Sequence, residues 1–155
     1  MPPRNGKKRR PGPARKALSS HRGAAVDYET LARFRYGLRR FLAFSEIEAN
    51  RSGLTSQQYQ ALMAIRGFSI RDPVSVGDLA GYMLIRHHTA VELVDRMVRL
   101  KVISRTVDPS DGRRVLLKLT REGERRLRRL YRIHVQELRT MRPTLTKMLK
   151  LFRQP

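Results

Sequence analysis

The stretch from Val107 to Thr120, "VDPSDGRRVLLKLT", constrains the fold of this chain more than any other. It sets Asp, Pro, Ser, Asp and Gly between two apolar runs, which is the chemistry of a tight turn between two strands. The expected strands are about Val102 to Val107 and about Arg114 to Leu119. Val115, Leu117 and Leu119 share one face of the second, because side chains alternate along a strand. Two arginines, Arg113 and Arg114, stand beside the tip of this hairpin. Everything around it reads as helix, so the hairpin is an isolated β element on a helical body.

Helix start signals flank the hairpin. In "LTSQQY", Thr55 and Gln58 form a capping box, with Leu54 and Tyr59 as the flanking apolar pair. Leu62, Met63 and Ile65 continue this helix, and Gly67 is its expected stop. "VSVGDL" repeats the pattern: Ser75 caps, Asp78 follows three residues on, and Val74 and Leu79 flank. A short helix from Val76 to Met83 is predicted. "IRHHTAVELVDRMVRLK" then predicts a helix from about Arg86 or His87 to Leu100. Its inner stripe is Ala90, Val91, Val94, Met97 and Val98, with Leu93 and Leu100 beside it.

Longer helices are expected at either end. From Asp27, a predicted cap, Leu31, Phe34, Leu38, Phe41 and Leu42 recur at helical steps to about Asn50. Thr120 caps a last long helix with Leu127, Leu130, Tyr131, Leu138 and Met141 on its apolar face. Pro143 is expected to interrupt it, leaving a short helix from Thr144 to Phe152. The fold class is therefore mainly α with a small β-hairpin. Helix, turn, helix and hairpin in that order describe a winged helix-turn-helix, with its core at about 54–120. The outer helices, about 27–50 and 120–152, have apolar faces wider than a lone small domain needs. Partner helices in a homodimer would cover them.

Charge narrows the function. The chain carries 34 Lys and Arg against 13 Asp and Glu, a net +21, which suits a polyanionic partner. Residues 1–25 hold eight basic side chains and no acidic one, among Pro, Gly and Ser, and are expected to form a disordered basic tail. Removing that tail leaves +13, so the folded part is basic in its own right. With no cysteine, disulfides and Cys-ligated zinc are excluded. No apolar run approaches a membrane span, and a cytoplasmic protein is expected. Paired carboxylates, a nucleophile–base set and a metal constellation are all missing at usable spacing, so an enzyme is not expected. No cofactor is expected either.

Three segments carry a family resemblance: "VGDLAGYM", "HHTAVELVDRM" and "DPSDGRRVLLKLTREG". From Val74 to Leu127 the chain resembles the multiple-antibiotic-resistance regulator (MarR) family. The resemblance implies a homodimeric regulator that reads pseudo-palindromic double-stranded DNA, most simply as a repressor released by a small-molecule effector. It implies a dimerisation layer built from the first and last helices. The chain departs from the family at several positions. Lys101 stands where Gly often ends the recognition helix; a left-handed non-Gly residue costs roughly 1–2 kcal/mol, so a different closure is expected. His87 and His88 replace small hydroxyl residues, and Glu92 replaces a polar or basic one.

The expected DNA-binding residues are Ser75, Arg86, His87, His88, Thr89, Arg113 and Arg114. The first residues of a recognition helix meet base edges, and wing arginines reach a narrow, electronegative minor groove. Adjacent helical residues diverge by about 100°, so His87 and His88 do not suggest a metal pair. Ser75 is read first as a cap. Asp111 is read as orienting the wing by holding the Arg113 guanidinium. The charged run from Arg121 to Arg132 is read as a solvated face. His134 is read as a satisfied interface histidine, and Tyr36, Phe41, Phe44 and Tyr59 as core. A non-sequence-specific architectural DNA-binding protein is the alternative reading.

Overall fold

The computed structural model describes residues 22–69 and 72–151. The helices are α1 (Arg22–Arg51), α2 (Ser56–Phe68), α3 (Val76–Met83), α4 (His87–Arg99) and α5 (Arg121–Leu151). The strands are β1 (Val74–Ser75), β2 (Ile103–Val107) and β3 (Val115–Leu119). The fold is mostly helical with one small antiparallel sheet, a winged helix-turn-helix flanked by two long helices.

Both capping boxes form. The Thr55 hydroxyl accepts the Gln58 amide at 3.2 Å, and Gln58 Oε1 accepts the Thr55 amide at 2.9 Å. Ser75 and Asp78 make the equivalent pair at 3.1 and 2.9 Å. Thr120 caps α5, its hydroxyl accepting the Gly123 amide at 3.1 Å and donating to the Lys101 carbonyl at 2.7 Å. That second bond ties the start of α5 to the end of α4.

The hairpin pairs in the expected register, with Ile103 opposite Leu119 and Val107 opposite Val115. β1 is a third strand that the sequence did not reveal. It adds to the other edge of β3, with Val74 opposite Leu117. Two residues are too few for periodicity, and the same residues already carry a helix cap. The core lies between the sheet and helices α2, α3 and α4, with Tyr59, Leu62, Leu79, Leu93, Met97 and Val102 almost wholly buried.

Several expectations need correction. α1 begins at Arg22, so Asp27 lies inside it and does not cap it; Ala24 and Ala25 are good helix formers and extend the backbone upstream. Residues 1–21, most of the expected tail, lie outside the described residues. Gly67 does not stop α2, which continues through Phe68 to a non-helical Ser69. Val91 is exposed and Leu93 takes its place in the core. α5 runs unbroken through Pro143 to Leu151. Pro143 and Arg139 are both exposed, so water can serve the Arg139 carbonyl that loses its intrahelical donor.

Three helices end in the same motif. After α1, the Leu54 amide bonds the Ala49 carbonyl at 3.0 Å around left-handed Gly53. After α3, Ile85 bonds Ala80 at 3.1 Å around Leu84, and after α4, Val102 bonds Met97 at 3.1 Å around Lys101. Leu84 has φ 53° and Lys101 φ 57°. Against the expected different closure, α4 ends on the same left-handed turn with Lys101 in it, and Lys101 carries the strain that a glycine would avoid.

His134 sits where α1, α2 and α5 meet. Its Nδ1–H donates to the Leu130 carbonyl at 2.7 Å, which leaves Nε2 to accept the Ser45 hydroxyl at 2.9 Å. Phe41, Phe44 and Tyr59 surround the ring, the last at 4.6 Å between centroids. Burial pushes the Tyr59 hydroxyl up to about 12. Tyr36, expected with this set, is exposed instead.

Candidate nucleic-acid interface

The approach to α4 is built by its neighbours. Ser75 holds the start of α3, and the left-handed Leu84 turns the chain into Arg86, which has extended backbone and occupies the N-cap of α4. Its side chain makes no capping bond. The amides of the first turn of α4 therefore meet no side-chain acceptor, and the helix dipole adds partial positive charge there. Arg86, His87 and His88 are exposed and Thr89 is half-buried. This end of α4 thus presents amide donors and partial positive charge at an exposed surface.

The wing is fixed against this surface by two arginines. Arg105 on β2 forms a short ion pair with Asp95 on α4. Arg114 lies 3.5 Å from Asp78 on α3 and 3.5 Å from Asp108 at the wing's root. The Ser110 hydroxyl and amide, at 2.7 and 2.9 Å, hold the Asp108 carboxyl below its usual range, with Arg114 helping. Asp78 is lowered likewise, chiefly by the Ser75 hydroxyl. The backbone closes the tip: Arg114 O accepts the Asp108 amide and Arg114 N donates to Asp111 O, both at 2.9 Å.

Asp111 makes a different contact from the one expected with the Arg113 guanidinium. Its carboxylate accepts the Arg113 backbone amide at 3.0 Å, two residues along the turn. Arg113 is exposed and forms no ion pair among the described residues. Arg113 and His87 line the same trough, about 470 Å³, between α4 and the wing; Ser75, Arg114, Arg105 and Val91 are also among its lining residues. Residues far apart in the chain thus converge on one concave, cationic surface.

The remaining candidates divide. Ser75 is buried, and its hydroxyl also donates to Asp78 Oδ2 at 2.7 Å, so its bonding is spent on the cap. Arg114 is braced between two carboxylates at the edge of the surface. Arg96 lies 3.9 Å from Glu92, one turn back on its own helix. Sequence reasoning missed Arg105, whose partner ten residues upstream has no local signature. No trio of His, Asp and Glu that could hold a metal occurs among the described residues.

Comparison with known proteins agrees with the fold. A sequence model of the MarR family matches residues 52–114, from the end of α1 to the wing. The winged helix-turn-helix of this chain is similar to that of the MarR family. It is 30% identical over 92 residues to the uncharacterized HTH-type transcriptional regulator YsmB of Bacillus subtilis, covering 59% of this chain and 61% of that protein. It is 34% identical over 71 residues to the transcriptional activatory protein BadR of Rhodopseudomonas palustris, covering 46% and 41%. The chain thus spans less than two thirds of both relatives. The S. aureus MepR–DNA complex has the same fold, with a TM-score of 0.61 at 22% identity over 77% of this chain and 94% of that one.

Proposed function

We propose that the protein is a homodimeric, sequence-specific regulator of transcription that binds double-stranded DNA. The observation that carries this reading is the convergence of an uncapped α4 N-terminus with the free Arg113 of the wing on one trough. α4 enters the major groove, where His87, His88 and Thr89 face base edges and Arg86 takes a phosphate. Arg113 reaches into the adjoining minor groove. Ser75 and Arg114 serve chiefly by holding α3 and the wing in place, with Arg114 near enough to the edge to meet a phosphate.

Dimerisation follows from surface that one chain leaves uncovered. Tyr28, Leu31, Leu38 and Leu42 on α1, and Tyr131, Leu138 and Leu149 on α5, are all exposed. Their spacing draws a stripe along each helix, and a second copy covers both. A dimer sets two readers on a pseudo-palindrome. Repression, with release by a small-molecule effector, belongs to this proposal on the family resemblance.

Titration against salt tests DNA binding. Six to ten phosphate contacts weaken it by ~10³–10⁵ between 50 and 200 mM salt. Arg113→Ala should lower affinity without lowering thermal stability; equal affinity would remove Arg113 from the interface. The basic composition of residues 1–25 favours a second reading, an architectural protein without sequence preference. Competition by random duplex separates the two, since a regulator keeps a large preference for its own site.

A further inference from the structure

The outer face of α5 carries a second cationic surface that the proposed function does not use. Arg121, Arg125, Arg128, Arg132 and Arg139 recur at steps of four, three, four and seven residues. At 100° per residue these fall on one narrow stripe, about 27 Å long from first to last. Arg129 flanks it. All six are exposed, and five of them line a shallow trough of about 600 Å³ with Ile133. The opposite face of α5 holds the buried Leu127, Leu130 and His134, and the apolar stripe through Tyr131 and Leu138 lies to one side. A second copy seated on that apolar stripe would leave the arginines in water.

Much of this charge is unneutralised. Glu122 engages Arg125 at 2.7 Å and Glu124 lies 3.8 Å from Arg128. Arg121, Arg129, Arg132 and Arg139 form no ion pair among the described residues. A solvated helix face normally mixes both signs; this one places like charges on neighbouring turns, where they repel by a few tenths of a kcal/mol per pair. A polyanion laid along the stripe relieves that repulsion.

The stripe is remote from the trough. His87 and Arg113 meet at one end of the reader, whereas Thr120, where α5 begins, is bonded to Lys101 at the other end of α4. α4 alone separates those ends by about 20 Å. The start of the stripe therefore lies about one α4 length from the trough.

We infer that the arginine stripe of α5 is a second docking surface for duplex DNA, so that one protein molecule holds two DNA segments at once. The inference rests on the reading that the α4–wing surface takes the first. Duplex DNA fits best because it is a straight anion with one charge per ~1.7 Å of axis, matching a straight row of cations of this length. Contact there is to phosphates alone, and so is indifferent to sequence.

The test loads the full-length protein with a short duplex selected for tight binding and offers a second, labelled random duplex at low salt. Capture of the second duplex is expected. Arg129→Gln, Arg132→Gln and Arg139→Gln together should cut capture at least tenfold and reduce the slope of log K against log[salt] by about 2.7, at 0.9 per phosphate contact. First-duplex affinity should stay within twofold. The corresponding triple Lys variant keeps the charge and should keep capture. Undiminished capture by the Gln variant, or binding of anionic lipid vesicles or single-stranded RNA in preference to duplex, overturns the inference. Failure of the reader is distinguishable. If Arg113→Ala and His87→Ala leave first-duplex binding intact while the α5 Gln variant abolishes it, the stripe binds DNA and the assigned reader does not.

Discussion

Gly123→Ala is the substitution whose outcome follows most directly from the packing. A Cβ on Gly123 would lie 2.0 Å from the Val102 carbonyl oxygen and 3.0 Å from its carbon. Neither atom is free to yield. The same oxygen accepts the Thr120 amide at 3.1 Å, and the Lys101 carbonyl beside it accepts the Thr120 hydroxyl at 2.7 Å. Relief demands a shift of about 1 Å or more at the start of α5, given that carbon contacts are optimal near 3.5–4.0 Å. Overpacking costs ~1–3 kcal/mol and loss of the Thr120 cap about 1 more. Alanine's advantage over glycine inside a helix returns 0.5–1, roughly. A net loss of about 1–3 kcal/mol corresponds to a drop of roughly 3–10 °C in Tm for a chain of this size. Gly67→Ala is the control. It lies within α2 and its added Cβ meets nothing within 4 Å, so it should gain ~0.5–1 kcal/mol. Melting followed by circular dichroism at one protein concentration compares them. If Gly123→Ala melts at or above the wild-type temperature, the close approach of α5 to Val102 is not a constraint and the reasoning fails.

Other outcomes follow from the same geometry. Lys101→Gly and Leu84→Gly each remove a left-handed non-Gly residue, and Leu84 is 92% exposed; each should raise stability by about 1 kcal/mol in urea denaturation, and a loss would mean that the side chain itself holds the turn. Ser45→Ala leaves His134 Nε2 buried without a donor and should cost ~1–3 kcal/mol; a neutral result would show water or another group serving that nitrogen. Acid should unfold the protein progressively. Arg125 and then Arg126 bring Glu122 from its ordinary 4.5 to about 2, and Asp78 and Asp108 are also lowered. Depressed carboxyls stabilise fully above their unfolded pKa and lose that contribution as pH falls through the folded one, so Tm should decline between about pH 4.5 and 2. Glu122→Gln should flatten part of that decline, and an unchanged profile would dissociate Glu122 from acid stability.

What could be read in advance was what depends on near neighbours in the chain. The capping boxes at Thr55 and Ser75 are decided within four residues, as is the Asp-Pro-Ser-Asp-Gly turn, and each formed as its residues dictate. The strand β1 was invisible because Val74 and Ser75 become a strand only when Leu116 and Leu117 arrive beside them. Val91 fits the helical period yet faces the trough, since the wing stands off there and does not cover it. Arg114 looked equivalent to Arg113 as a sequence; only the approach of Asp78 and Asp108 separates a braced arginine from a free one. Lys101 and Leu84 illustrate the converse. Local preference argues against left-handed backbone at both, and burial of Met97 and Val102 at one end and Ala80 and Leu79 at the other outweighs it.

Selection of bound duplexes from a random pool tests the central claim, that two copies of the α4–wing surface read DNA in tandem. An enriched inverted repeat is predicted, with half-site centres 10–10.5 base pairs apart, about one helical turn, or a multiple of that spacing. A pool that stays random after repeated rounds, or one enriched for a single unpaired motif, would contradict it.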